Sequence, residues 1–466
     1  MRAAALAEGV AGLDEALAAV DALDGALVTG LVRPRAEQAD ALRETADAVA
    51  GTPLADRVAE AAEKVAAGAG GEEDFTALAA ARTALLGAVH DALLARVDDA
   101  TGRDRARAPV REPGGAPAAN LPAAARTWLA DVARAGWQGL DHDLVSGAAR
   151  IVSALLTEPS LRRLALLLDG LSAELAASCP GAAMAEFPAR RWGDLWARAM
   201  LLTLPGAVAD APQAVPATGR LLPLGVDLQE HATAAQAQVH AVFEPADGSG
   251  PRLVRASVSV PKPDSVVGAG VWQLLRPHLS LLAAAGEGRS MELTGMPLTP
   301  EGDLLWNEEH ARPGDPADPF ATARVVLPTA TDAATAPLDR HPAGIAVPVF
   351  IEGYAAHRDP ERDDRLTFTV AGHPLAVDTD RIPAAGPLTP QAVERSAACI
   401  GLLRWDDGAF SVQPLAVEST VRRKQAAVHA GGWAGGTTDK AGLRAEKAAT
   451  DAVTALRERA GRLLRS

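Results

Sequence analysis

The sequence predicts an α+β protein of several domains, with a helical front half and a β-rich back half. Apolar residues recur at the spacing of one helix face in the first 31 residues: Leu6, Val10, Leu13, Leu17, Val20, Leu27 and Leu31. Beyond residue 215 this period gives way to hairpin patterns, such as Ile400–Trp405 and Ala409–Val417 around Asp406-Asp407-Gly408. At 466 residues, the chain is long enough for two or three domains, each with its own core.

Residues 1–100 are predicted to form an up-down helical bundle. Residues 1–32 are predicted as one long helix that ends before Pro34, because proline disfavours helical geometry in the residue before it. Three further periodic segments follow, separated by short breaks near Gly51 and Gly68–Gly71. Short breaks between long helices favour antiparallel neighbours, which is the arrangement of a bundle.

A flexible, basic linker is predicted over residues 101–121, where proline, glycine and arginine are concentrated. Helical periodicity resumes over 122–206, and we interpret this segment as a second helical unit. Aromatic residues are more frequent here than in the first bundle, which favours a better-filled core: Trp128, Trp137, Phe187, Trp192 and Trp196.

Residues 215–420 are predicted to form a β-rich α+β domain, either OB-like or another small barrel. Val239–Phe243 and Leu253–Val260 flank a turn of Asp247-Gly248-Ser249-Gly250, which indicates a hairpin. Arg324–Leu327 is predicted as a further strand. Residues 421–466 are predicted as a basic, glycine-rich connector followed by a terminal helix whose apolar heptad spacing is typical of a coiled coil.

Charge and cysteine content narrow the function classes. The formal net charge of −14 argues against general affinity for nucleic acid. The segment from Arg422 to Ser466 is the exception, with ten Arg and Lys against four Asp and Glu, a local net charge of +6. Cys179 and Cys399 suggest thiols in a reducing compartment. We expect a cytoplasmic protein, because no signal-peptide pattern and no membrane-spanning run is visible.

The sequence predicts no cofactor and no metal site. Gly431–Lys440 is rich in glycine, but its spacing differs from that of a phosphate-binding loop. The three residues of Asp141-His142-Asp143 are adjacent, so on a helix they point to different faces, and Asp141 is interpreted as a helix cap. The sequence also lacks a recognisable nucleophile motif, so it does not favour the interpretation that the protein is an enzyme. Distant residues can still assemble a catalytic site after folding.

A protein-interaction surface is predicted on the helix that carries Trp192 and Trp196. The two tryptophans are four residues apart and share a helix face, while Arg191 and Arg198 share another. Tryptophan and arginine are enriched among residues that dominate binding energy. The alternative interpretation is that both tryptophans fill the core of the second helical unit.

The basic C-terminal arm is a second candidate surface, which either docks a partner helix or packs on the acidic body. Its candidate interaction residues are Arg422, Arg423, Lys424, Trp433, Lys440, Arg444 and Lys447. Nucleic-acid binding by this arm is an alternative, but it calls for aromatic residues interleaved with the charge, and only Trp433 is near.

Four stretches resemble uncharacterised proteins of high-GC bacteria: Arg190–Leu202, Leu221–Phe243, Ile400–Val417 and Trp433–Leu464. Those proteins accompany MoxR-type AAA+ ATPases, von Willebrand A-domain proteins and SWIM zinc-finger proteins. The resemblance carries no diagnostic motif and transfers no catalytic residue. It implies an accessory subunit or adaptor in a system that contains an ATPase.

The function predicted from the sequence is a non-enzymatic interaction protein, a scaffold or adaptor with a protein partner. The first alternative is binding of nucleic acid or nucleotide through an OB-like domain and the basic arm. The second alternative is an enzyme whose residues are scattered along the chain.

Overall fold

The structure, a computed structural model, describes residues 1–107, 120–206, 214–231, 233–263, 266–359, 365–421, 424–438 and 440–463. It confirms a mixed α+β protein, because helices dominate the first 206 residues and two β-sheets follow.

The helical half begins with α1 (Ala3–Ala7), α2 (Leu13–Thr29), α3 (Ala36–Ala48), α4 (Ala55–Ala66) and α5 (Glu72–Thr101). It continues with α6 (Asn120–Ala135), α7 (His142–Ser146), α8 (Ala148–Leu156), α9 (Arg162–Ala177) and α10 (Ala189–Leu202). The single helix predicted over residues 1–32 is wrong. Gly12 adopts a left-handed φ of 77° between α1 and α2, a conformation that glycine reaches without steric cost.

One hydrophobic core runs through most of the helical half. Leu23 and Leu78 from the first hundred residues belong to the same buried cluster as Leu171 and Trp196. Helix α10 packs against α2, α5 and α6, so the segments predicted as a bundle and a second unit are joined. Periodicity shows which face of a helix is apolar, but it does not show which helix covers that face.

Helix α5 runs along the centre of this core. Among the described residues, it is the one helix long and apolar enough to cross a membrane by length and composition. Of its most apolar window, 61% is buried inside the protein, as in the core helix of a globular domain.

The first sheet closes on itself. It contains β1 (Val215–Glu230), β2 (Ala234–Pro245), β3 (Arg252–Pro261), β4 (Arg289–Leu298), β5 (Asp303–Leu304) and β6 (Ala311–Pro316). The strand order is β1-β2-β3-β5-β4, and β4 pairs back onto β1, while β6 extends from β4. Of the described strand pairs in this sheet, β3–β5 is parallel and the others are antiparallel. Helices α11 (Gly270–Leu274) and α12 (Leu279–Glu287) connect β3 to β4 and cover the apolar interior. We call this unit the barrel.

The second sheet follows α13 (Pro319–Val325). It contains β7 (Val347–Glu352), β8 (Ala355–Asp359), β9 (Arg365–Val370), β10 (His373–Val377), β11 (Ala398–Asp406), β12 (Ala409–Val421) and β13 (Lys424–His429). The order is β7-β11-β12-β10-β9-β8, with β13 also paired to β12. Helix α14 (Pro390–Glu394) precedes β11, and α15 (Lys440–Leu463) ends the described chain. The β-rich half therefore contains two sheets.

The two hairpins predicted from the sequence are confirmed as β2–β3 and β11–β12. The strand predicted over Arg324–Leu327 is wrong, because this segment is the last turn of α13 and a short 3-10 helix. The Asp318 side chain accepts a hydrogen bond from the Phe320 amide, and Pro319 occupies the first helical position. These start signals override the strand preference of the two valines that follow.

Buried ion pairs fix the start of the predicted linker to the β-rich half. The Arg103 guanidinium donates to both carboxylate oxygens of Asp332, at 2.8 and 3.2 Å, and to the Pro348 carbonyl at 3.0 Å. Arg105 bridges Asp332 and Asp98 at 3.0 and 2.6 Å. The segment up to residue 107 is thus ordered by its arginines, and residues 108–119 lie outside the described chain.

Candidate functional site

A cleft of about 1230 Å³ separates the helical half from the outer face of the barrel. One wall comes from the turn before α9 and from α9 and α10, with Ser160, Arg163 and Arg198. The opposite wall is the surface of strands β1, β2, β3 and β5. Hydrogen-bonding side chains dominate that wall, including Gln229, Gln236, Gln238, His240, Arg255 and Ser257. We call this feature the barrel cleft.

Strand alternation explains why polar side chains line this wall. Along β2, Ala237 and Val239 point into the barrel core, so the intervening Gln238 and His240 point outward. The register then aligns outward residues across neighbouring strands. His240 pairs with Arg255, and Arg255 pairs with Asp303. A second row contains Asp227, Gln238 and Ser257.

The arginines that line the barrel cleft are paired with carboxylates. Arg255 donates from Nε and Nη2 to the two oxygens of Asp303, at 2.5 and 2.9 Å. Arg163 from α9 binds Asp339 at 2.5 Å, and Arg198 binds Asp194 at 3.0 Å. The wall therefore offers fixed hydrogen-bonding groups rather than a field of one sign.

A buried network holds the β1 end of the wall in place. The Asp227 carboxylate accepts hydrogen bonds from Gln413 at 2.8 Å and from Arg404 at 3.0 Å. Arg404 also donates to the Gln413 side-chain oxygen at 2.6 Å, and Gln229 donates to Asp227 at 3.1 Å. These contacts come from β11 and β12, so the second sheet supports the cleft wall from behind.

Among the described residues that line the cleft, His240 is the one with a buried ring nitrogen that lacks a hydrogen-bond partner. It is 3% exposed, and within the described chain its Nε2 atom has no hydrogen-bond partner. Burial lowers the pKa of His240 from 6.5 to about 3, and the nearby Asp227 carboxylate opposes this shift only in part. The imidazole is therefore neutral near pH 7. Groups with perturbed titration inside a cleft are candidates for a functional role.

A smaller pocket of about 80 Å³ adjoins the barrel cleft at His240. His240 and Arg255 line both spaces, and Ala334 and Ala346 form part of the shared rim. Asp332 also lines this pocket, where it is held by the arginines of the linker segment. The cleft is thus continuous with a small pocket that His240 lines.

The tryptophans of the predicted helical surface are core residues. Trp192 is 1% exposed and Trp196 is fully buried, with its Nε1 donating to the Leu129 carbonyl at 3.0 Å. The structure therefore favours the alternative in which both fill the helical core. Arg191 is exposed and binds Glu174, whereas Arg198 lies on the barrel cleft, so the two arginines do not share one free surface.

The basic arm is brought together only in part. Lys440, Arg444 and Lys447 are exposed on α15. Trp433 is half-buried against the barrel core, and Lys424 is the first residue of β13. The predicted residues Arg422 and Arg423 lie outside the described residues.

The glycine-rich connector packs closely against the barrel. A Cβ atom on Gly431 would lie 2.8 Å from the Val226 side chain, and one on Gly435 would lie 3.0 Å from the Ala283 backbone. Close packing therefore accounts for these glycines without a bound phosphate. Asp141 accepts a hydrogen bond from the Leu144 amide at 2.8 Å and caps α7. Over the residues that the structure describes, no group of three or more metal-ligating side chains converges.

Comparisons with protein families, with curated proteins and with solved structures found no match to this chain. The site is therefore interpreted from its own chemistry.

The buried histidines make stability depend on pH. The folded pKa of His240 is lowered to about 3, and burial lowers that of His341 to about 4. Between these values and 6.5, the unfolded chain binds protons that the folded chain does not, so acidification through this range destabilises the fold. Asp24, whose pKa burial raises to about 6, acts in the opposite direction.

We therefore expect His240→Leu to flatten the acid side of the stability profile. Relative to wild type, the variant should gain about 3 kcal/mol of unfolding free energy between pH 7 and pH 4. Urea unfolding at one-unit pH intervals measures this difference directly, because the contribution of Asp24 is common to both proteins. A difference that is constant over the range would contradict the assigned state of His240.

Proposed function

We propose that this chain is a non-enzymatic binding protein, an adaptor or scaffold that holds a polar segment of a protein partner in the barrel cleft. The observation that carries the proposal is the barrel wall itself: aligned rows of amide, hydroxyl and imidazole groups face a cleft of about 1230 Å³. Its arginines are already paired with carboxylates, so a partner is recognised through hydrogen bonds.

The strand order supports a binding role for this face. We propose that the barrel is of OB type, because its order β1-β2-β3-β5-β4-β1 and the helices between β3 and β4 match a five-stranded Greek-key barrel. Such barrels bind ligands on the face of strands 2 and 3. In this protein the corresponding face is the wall that carries Gln238, His240, Arg255 and Ser257. This argument is an analogy of fold and supports the location of the site only.

The chemistry of the cleft favours a protein partner over a nucleic acid. Among the described residues that line it, none is Phe, Tyr or Trp, so bases have no stacking platform there. Its arginines are committed to carboxylates, and the whole chain carries a net charge of −14. A phosphate backbone needs free cationic groups. The resemblance to proteins that accompany MoxR-type ATPases leads us to propose an ATPase-containing complex as the partner.

Affinity capture from the native cell, with a variant that fills the cleft, tests this proposal. Ser257 is exposed on β3 and lines the cleft, so we expect Ser257→Trp to block the partner and reduce its capture at least tenfold. The matched control is Thr294→Trp, at an exposed strand position of the same barrel outside the cleft. Tryptophan is favourable on strands, so both variants should fold. If both variants captured the partner equally well, the partner would not bind in the cleft.

The exposed basic residues of α15 favour nucleic-acid binding as the second candidate. Two results for single-stranded DNA would support this candidate. Its affinity for the protein should fall steeply as the salt concentration rises, and binding should be lost when Lys440, Arg444 and Lys447 are replaced with Glu. Binding through the cleft should survive the same triple replacement.

A further inference from the structure

We infer that the pocket at His240 is a specificity pocket for an uncharged side chain that both donates and accepts hydrogen bonds, the carboxamide of Gln or Asn on the partner segment. This inference rests on the proposed function, because the barrel cleft is the space in which that segment lies. It adds the chemical class of the group that the cleft selects.

The first argument is the state of His240. Nearly all of its surface is covered, yet Nε2 has no partner among the residues described by the structure. A buried polar atom without a hydrogen bond costs stability, and a ligand that completes the bond removes that cost. The residue lines both the cleft and the pocket, so the imidazole belongs to the wall against which a ligand group would lie.

The second argument is the set of groups that accompany His240. Arg255 carries five N–H donors and uses Nε and Nη2 for Asp303, so its Nη1 lies outside that pair. We assign the neutral imidazole the tautomer that carries its proton on Nδ1, so that Nε2 is an acceptor. A carboxamide oxygen then accepts from the guanidinium, while the carboxamide NH₂ donates to Nε2. Both ends of the amide are then satisfied across one wall.

The charged groups that line the pocket disfavour a carboxylate or an ammonium group in place of the carboxamide. A carboxylate has the same shape but cannot donate to Nε2, and it would meet the Asp332 and Asp303 carboxylates at the pocket and its rim. An ammonium group would meet Arg255 and Arg105, whose charges are already paired. A neutral group avoids both costs, since burying an unpaired charge is expensive.

The size of the pocket fits such a group. A volume of about 80 Å³ is roughly that of five or more water positions, enough for a carboxamide and the methylene before it. A whole sugar ring or nucleobase is larger, so the pocket takes the end of a side chain while the rest of the segment lies in the wider cleft.

The test uses propionamide as the probe, with propionate as its charged isostere and maltohexaose as a sugar. Methyl signals of ¹³C-labelled alanine report on the pocket, because Ala334 and Ala346 line it. We expect propionamide to produce a saturable shift of these two signals and propionate to produce none. A response to propionate of equal size, or to maltohexaose in place of propionamide, would overturn the inference.

Two leucine variants of buried histidines separate binding from structure. In His240→Leu, the propionamide response should vanish and partner capture should fall about tenfold, while stability at pH 7 stays level or rises because the unpaired nitrogen is gone. His429→Leu is the matched control, because His429 also has a buried unpartnered ring nitrogen in the described structure but lies outside the cleft. It should leave both readouts unchanged. A propionamide response retained in His240→Leu would overturn the inference.

The two proposals fail in different ways. If Ser257→Trp leaves capture intact, the proposed function fails whatever propionamide does. If Ser257→Trp abolishes capture but His240→Leu has no effect on it, the cleft is the binding site and the carboxamide assignment is wrong.

Discussion

Asp332→Ala is expected to lower the free energy of unfolding by about 3–5 kcal/mol. The carboxylate is 2% exposed and accepts hydrogen bonds from two arginines, of which Arg103 is itself 3% exposed. Removal of Asp332 leaves the Arg103 guanidinium buried beside the Pro348 carbonyl without the carboxylate that pairs with it. The cost is that of an uncompensated buried charge, which exceeds the net contribution of the pair itself.

The location of the pair adds a second consequence. Arg103 follows the end of α5 in the helical half, and Asp332 lies between the barrel and the second sheet. We therefore expect the variant to expose the junction of the halves as well as to lose stability, with faster amide hydrogen exchange at the end of α5. Urea unfolding and hydrogen exchange followed by mass spectrometry measure the two effects.

Asp339→Ala is the control for that experiment. Asp339 also joins the two halves, through Arg163 of α9, but both side chains of this pair are close to half exposed. Water solvates each partner when the pair is broken, so the loss should be at most about 1 kcal/mol. Equal losses for Asp332→Ala and Asp339→Ala would contradict the argument from burial.

The same residues show where sequence reasoning reaches its limit. Arg103 and Arg105 lie in a segment rich in proline, glycine and arginine, a composition typical of flexible linkers. Their partner Asp332 is 229 residues away from Arg103 along the chain. Local composition carries no information about a partner at that distance, so the ordered start of the linker could not be predicted.

Of the two walls of the barrel cleft, only the polar strand face could be predicted from the sequence. The alternation of Ala235, Ala237 and Val239 with Gln236, Gln238 and His240 is visible in the sequence, and it indicates a strand with one polar face. What that face meets depends on how α9 and α10 pack. The unpaired nitrogen of His240 depends on contacts from several strands, and no spacing along the chain encodes it.

Trp196→Ala is expected to destabilise the helical half by about 3–5 kcal/mol. The indole is fully buried in the core shared by α2, α5, α6 and α10, and its Nε1 donates to the Leu129 carbonyl at 3.0 Å. Truncation to alanine removes the largest type of side chain, leaves a cavity in a close-packed core, and leaves a buried carbonyl without this donor. Chemical unfolding followed by circular dichroism measures the loss.

This variant also separates a core role from an interface role for the tryptophan. If Trp196 contacted the partner directly, its truncation would reduce capture while the protein stayed folded, as for a binding hot spot. Truncation of a core residue reduces capture only in proportion to the fraction of molecules that are unfolded, so capture at low temperature should match the folded fraction.

Trp433→Ala provides the matched control, because Trp433 is half-buried against the barrel and its truncation opens a smaller cavity. A loss in Trp433→Ala as large as in Trp196→Ala would contradict the burial argument. If Trp196→Ala were fully folded but captured no partner, α10 would be part of the interaction surface.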